Sequence, residues 1–134
     1  HPLETLKSVA KVKEVMQAIE DVKRIYVSPA MKKYIVELTT RTRQSADVYL
    51  GASPRGSLSL ARAGRARAAL LGRDHVLPDD IQALAAAVLS HRIIVSPAAR
   101  LRDLSSERIV QEVIHATPVP GGEFLSEPAR KKSK

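Results

Sequence analysis

The strongest constraint on the fold is one bracketed run. Ser53-Pro54 stands at its start and Leu71-Gly72 at its end, and the residues between are rich in Ala, Leu and Arg. Serine is a preferred N-cap, because its hydroxyl can accept an orphan amide proton of the first turn. Proline fits the first helical position, where a missing N–H costs nothing. Glycine suits the left-handed residue just past a helix end. Strong helix formers fill the interval, so the pattern predicts a helix from Pro54 to about Leu71. At about 100° per residue, Leu60, Gly64, Ala68 and Leu71 share one side with Ser57 beside them, while Arg55, Arg62 and Arg73 take the other. Leu58, Ala61, Ala69 and Leu70 spread apolar surface further round, which predicts a helix central to a bundle.

The same start device recurs at Ser28-Pro29, predicting a helix to about Arg43 with Met31, Tyr34, Ile35 and Leu38 on its apolar face. Thr39, Thr40 and Thr42 weaken its last turns, since β-branched side chains lose rotamer freedom in a helix. Ahead of it, Val12, Val15, Met16, Ile19 and Val22 recur at helical spacing within residues 7–24. Pro78-Asp79-Asp80 opens a further helix, its carboxylates suited to the positive helix end, with a stripe of Ile81, Leu84, Ala85, Val88 and Leu89. A last helix spans about Ser106–His115, carrying Ile109, Val110, Val113 and Ile114. Val48-Tyr49-Leu50, His75-Val76-Leu77 and Ile93-Ile94-Val95 read as extended and are long enough for only a minimal sheet. Thr117 to Gly122 breaks structure, and Phe124 to Lys134 reads as a basic disordered tail. The fold class is therefore all-α: a compact helical bundle of about five helices with very short extended segments.

The 134 residues suit one domain. With no cysteine there is no disulfide and no thiolate metal site. No apolar run is long enough to cross a bilayer, so no membrane role is expected. The net charge of +8 permits nucleic acid, anionic lipid or an acidic protein as partner. The basic residues are dispersed, however, and Tyr26, Tyr34, Tyr49 and Phe124 are too few to interleave with them for base stacking, which disfavours nucleic acid. His1, His75, His91 and His115 are too far apart for a local metal motif, so no metal site is expected. The chain has no phosphate loop of the form G-x-x-x-x-G-K-[ST]. Asp79 and Asp80 sit at a helix start, where they read as a structural cap pair. The chain by itself is not expected to be an enzyme.

Arg55 runs against the local field. A helix N-terminus carries partial positive charge and favours acids. Free amides, the dipole and a guanidinium together favour an anion such as phosphate. The residues alone leave two readings open, a solvated surface arginine or an anion site.

The ordered set Tyr34-Ile35, Thr42-Arg43, Gly51-Ala52-Ser53-Pro54-Arg55, Gly72-Arg73-Asp74-His75-Val76, Pro78-Asp79-Asp80-Ile81 and His91-Arg92 resembles the C-terminal lid domain of MoxR-type AAA+ ATPases. The resemblance covers roughly residues 8–120, and Gly51 to Arg55 stand where that family has its sensor-2 motif. Leu77 departs from it, since relatives carry Thr or Ser there, and this helix is expected to start less sharply. The resemblance implies residues 1–7 as a linker from an ATPase core domain, 8–120 as the lid and 121–134 as a basic tail. It implies that Arg55 is the catalytic sensor, reaching the γ-phosphate of ATP held with Mg²⁺ by the core of the full-length parent. Ser53, Pro54, Tyr34 and Ile35 are implied as nucleotide-binding neighbours, with Arg62 either an aid to the anion or a surface arginine. No nucleotide is expected to bind tightly to this chain alone. The implied partners are the protein's own N-terminal AAA+ core domain, neighbouring subunits of a hexameric ring and a von Willebrand A-type protein, in a cytoplasmic, chaperone-like role. The alternative is a basic helical module that binds protein or nucleic acid with no nucleotide link.

Overall fold

Proline opens four of the six helices in the computed structural model, which describes residues 5–121. The chain runs α1 (Val12–Arg24), α2 (Pro29–Gln44), β1 (Val48–Leu50), α3 (Pro54–Leu70), α4 (Pro78–Leu89), a 3-10 turn (Ser90–Arg92), β2 (Ile94–Val95), α5 (Pro97–Arg100) and α6 (Ser106–Ala116). A pre-set φ and a missing donor are tolerated at a helix start and not inside, so these prolines fix where each helix begins. Ser28 accepts Met31 N–H at 3.1 Å, Ser96 accepts Ala99 N–H at 3.3 Å and Ser105 accepts Arg108 N–H at 3.2 Å. The short helix α5 is additional to the five expected, and the Ser96-Pro97 pair is its start signal. The tail from Phe124 lies outside the described residues, as do residues 1–4.

Helices α2, α3, α4 and α6 enclose the core, and α3 and α4 pack most extensively. Leu38, Leu60, Ile81, Leu89, Ile109 and Val110 are fully buried at its centre. The stripes expected on α2, α4 and α6 face it: Met31, Tyr34, Ile35 and Leu38; Ile81, Ala85 and Leu89; Ile109, Val110, Val113 and Ile114. Strands β1 and β2 pair antiparallel, Val48 opposite Val95 and Leu50 opposite Ile94 with an irregularity between. A separate bridge joins Tyr26 to His75, with Tyr26 N–H donating to Asp74 O at 2.8 Å and Val76 N–H to Tyr26 O at 3.0 Å. These two ties connect loops, and the helices supply the rest of the architecture.

Three expectations change. Helix α3 is central, but it buries only Gly56, Leu60, Gly64 and Ala68. Leu58, Leu70 and Leu71 are exposed, because α1, α2 and α4 meet it along limited faces. Helix α1 starts at Val12 and fully buries none of its residues, so most of its apolar stripe is left uncovered. Arg73 does not continue the Arg55 face. The chain reverses at Gly72, whose φ is +69°, and Arg73 folds back onto α4, donating to Asp80 Oδ1 at 2.6 Å and Oδ2 at 2.8 Å.

Asp80 holds the polar junction between α3 and α4. Its carboxylate is buried, accepts Leu77 N–H at 2.9 Å and lies 3.4 Å from Arg67 Nε. The hydrogen bonds from Arg73 lead in holding its pKa below the ordinary carboxylate value, opposed by burial and helped by the Leu77 amide. This explains how α4 starts without a capping hydroxyl at position 77: the carboxylate three residues on takes the Leu77 amide, half of a capping box. Asp79, expected as the other half of a cap pair, is exposed and bonds none of these groups.

Candidate functional site

The segment Gly51-Ala52-Ser53-Pro54-Arg55 enters α3 directly against the last turn of α2. Thr42 lies in that turn, and its hydroxyl does two things at once: Oγ1 donates to Thr39 O at 2.7 Å and accepts Ala52 N–H at 3.0 Å. Arg43 Nη1 donates to Ala52 O at 2.6 Å, and its Nη2 donates to Thr40 Oγ1 at 3.1 Å. Both backbone groups of Ala52, a fully buried residue, are therefore held by α2 side chains. One turn back, Thr39 Oγ1 lies 2.6 Å from Ser57 Oγ, tying α2 to the first turns of α3. The contact leaves no room for a side chain at Gly51, where a Cβ would meet Arg43 Cγ at 2.5 Å and Arg43 Cα and N at 2.7 Å. The threonines that weaken a free helix are the groups that fix this junction.

Ser53 is the N-cap residue in an extended conformation, but its hydroxyl accepts no first-turn amide. Gly56 N–H instead donates to Ser53 O at 2.7 Å, which replaces the expected side-chain cap. Pro54 occupies the first helical position. Ser53, Pro54 and Arg55 are all exposed, and the Arg55 guanidinium has no ion pair or hydrogen bond among the described residues. An unpaired cation at a rigidly held helix start, beside an unused hydroxyl, fits a phosphate-type anion. Arg62 lies two turns along α3, exposed.

Tyr34 and Ile35 lie on the core face of α2. Both are buried in the core, at 3% and 2% exposure, and Tyr34 Oη accepts a hydrogen bond from Gln82 Nε2 at 3.1 Å. Tyr34 precedes Thr39 by five residues, about 7.5 Å along the α2 axis. Among the described residues no cluster of His, Cys, Asp or Glu could hold a metal ion, so these side chains do not fit Mg²⁺. No helix of the described residues is long and apolar enough to cross a membrane.

Sequence reasoning missed the parts played by Arg43, Thr42 and Gly51 in holding Ala52. Thr42-Arg43 stands out as a motif, but a bond across ten residues of sequence has no local signature.

The helical domain has counterparts among known proteins. The family model for the AAA lid domain matches residues 40–113, and the chain belongs to that family. It is 42% identical over 120 residues to the uncharacterized protein YeaC of Bacillus subtilis, covering 90% of this chain and 38% of that one. It is 28% identical over 123 residues to the chaperone MoxR1 of Mycobacterium tuberculosis, covering 85% and 33%. A crystal structure from Cytophaga hutchinsonii, assigned as an ATPase, superposes with a TM-score of 0.76 at 28% identity, over 80% of this chain and 35% of that one. The chain thus spans about a third of these relatives' lengths. It is the lid domain of a MoxR-family AAA+ ATPase.

Proposed function

We propose that this lid closes over ATP bound by the rest of a longer polypeptide, and that Arg55 is its sensor of the γ-phosphate. The observation that carries the reading is the exposed, unpaired Arg55 guanidinium at a helix start clamped by Thr42 and Arg43. Membership of the AAA lid family supports it. In this reading Arg55 donates hydrogen bonds to the γ-phosphate oxygens, and the α3 helix start adds its positive end. Ser53 and Pro54 lie beside the phosphates. Tyr34 and Ile35 act from within the core, holding α2 where its last turn can clamp Ala52. The bound nucleotide supplies the phosphoanhydride chemistry, and Mg²⁺ is assigned to residues outside this lid.

Arg55 gains a partner when the γ-phosphate is present and loses it after hydrolysis. The lid angle then differs between the two states, which is a hinge coupled to ring motion. A hexameric ring, a chaperone-like role and a von Willebrand A-type partner extend the proposal by family resemblance. Because the chain spans about a third of its relatives, turnover is assigned to the longer protein and not to this chain.

The test is steady-state ATP hydrolysis by the full-length protein with Arg55→Ala. Turnover should fall by about 10²-fold, the usual scale for losing a charge contact made in the transition state. Circular dichroism should show an unchanged fold, since Arg55 bonds nothing in the described lid. Arg62→Ala, two turns further along, should cost much less. Wild-type turnover in Arg55→Ala would return Arg55 to a surface role.

A further inference from the structure

Thr39 and Thr42 share one face of α2, and each hydroxyl is used in the same way. Thr42 Oγ1 donates its proton to Thr39 O at 2.7 Å and so keeps its lone pairs for Ala52 N–H, 3.0 Å away. Thr39 Oγ1 faces Val36 O at 2.9 Å and Ile35 O at 3.2 Å. A hydroxyl carries one proton, so in the 2.6 Å pair of Thr39 Oγ1 with Ser57 Oγ the serine is the donor. Both threonines are buried, at 1% and 0% exposure. Their partners on the facing segment bracket Arg55, with Ala52 before it and Ser57 after it.

We infer that Thr42 and Thr39 are positioning residues for ATP turnover that act only through Arg55; the inference rests on the sensor reading above. A threonine bonded back to its own helix weakens that helix slightly and needs no second partner. Here each hydroxyl gives its proton to α2 and turns its acceptor to the segment that carries Arg55. Ties on both sides of Arg55 fix the position and the direction of the helix start together. The arginine side chain extends from that start, so a shift at its base is carried to the guanidinium. A misplacement of about 1 Å at a reacting centre can cost about 10²-fold in rate. Neither threonine is exposed to a nucleotide, so loss of a tie changes turnover and leaves ATP binding in place.

The experiment is a double-mutant cycle in steady-state ATP hydrolysis by the full-length protein. Thr42→Val keeps the shape and removes the hydroxyl, and Thr42→Ser keeps the hydroxyl. Thr42→Val should lower kcat by about tenfold with KM for ATP within about twofold, and Thr42→Ser should retain most of the wild-type rate. In the Arg55→Ala background Thr42→Val should change kcat by less than about twofold, since a residue that acts through another has nothing left to act on. Ser57→Ala removes the second tie at a half-buried position. It should lower kcat by about threefold, again only where Arg55 is present, and it carries the test if circular dichroism shows Thr42→Val unfolded. Ser105→Ala removes the cap of α6 and should leave kcat unchanged, which separates positioning from a general weakening of the lid. A Thr42→Val loss of equal size with and without Arg55, an equal loss in Ser105→Ala, or a raised KM with kcat unchanged overturns the inference. If Arg55→Ala slows turnover and neither Thr42→Val nor Ser57→Ala does, the inference fails while the sensor reading stands. Wild-type turnover in Arg55→Ala overturns both.

Discussion

Gly51→Ala is the sharpest test of how the α3 start is held. The new Cβ would lie 2.5 Å from Arg43 Cγ and 2.7 Å from Arg43 Cα and N. Favourable carbon contacts lie near about 3.5–4.0 Å, so each overlap is about 1 Å. Two of the three atoms are α2 backbone and cannot rotate away. Relief therefore requires moving Gly51 and Ala52 off α2, which lengthens the Thr42 and Arg43 bonds to Ala52. Overpacking costs about 1–3 kcal/mol, and a buried amide that loses its partner costs about 1–3 kcal/mol more. The reduced freedom of the unfolded chain returns about 0.4–1 kcal/mol. The net destabilisation is about 2–5 kcal/mol. Gly72→Ala is the control. Its φ of +69° strains an alanine, but nothing lies within 4 Å of the new Cβ, so it should cost only about 1 kcal/mol. Urea unfolding followed by circular dichroism measures both. Backbone conformation alone would rank Gly72 as the costlier site; the clamp predicts the reverse. If Gly51→Ala costs no more than Gly72→Ala, α2 does not hold the segment as described.

Asp80→Asn keeps an acceptor for Leu77 N–H but removes the charge facing Arg73 and Arg67, and should cost about 2 kcal/mol, less than a fully buried pair because both arginines reach solvent. Since the folded pKa is lowered from 3.8, the wild-type advantage is complete above the ordinary carboxylate range and is lost as pH falls through the folded value; urea midpoints of the two proteins should converge in acid, and a gap that widens there would contradict the Arg73 contact. Ser28→Ala should cost about 1 kcal/mol in thermal unfolding, whereas Ser53→Ala, which gives up no cap bond, should be near neutral. Equal losses would mean that Ser53 caps α3 after all.

Helix boundaries are legible in the sequence because their signals are local. Ser28-Pro29, Ser53-Pro54, Pro78 and Gly72 act through the chain's own dihedrals and first-turn amides, and the observed starts and stops fall on them. The Arg55 position is legible for the same reason, as a cation at a marked helix start. Which apolar face is buried is not legible, because burial depends on what the rest of the chain brings alongside. The stripe of α1 has the same periodicity as that of α4, yet one is left open and the other forms the core. The same limit hides the partners of Asp80 and Ala52. Arg73 reaches Asp80 only because Gly72 turns the chain back, and Arg43 reaches Ala52 only because the end of α2 packs against the start of α3. Caps and periods are written residue by residue, but a bond between distant residues exists only once the helices have docked.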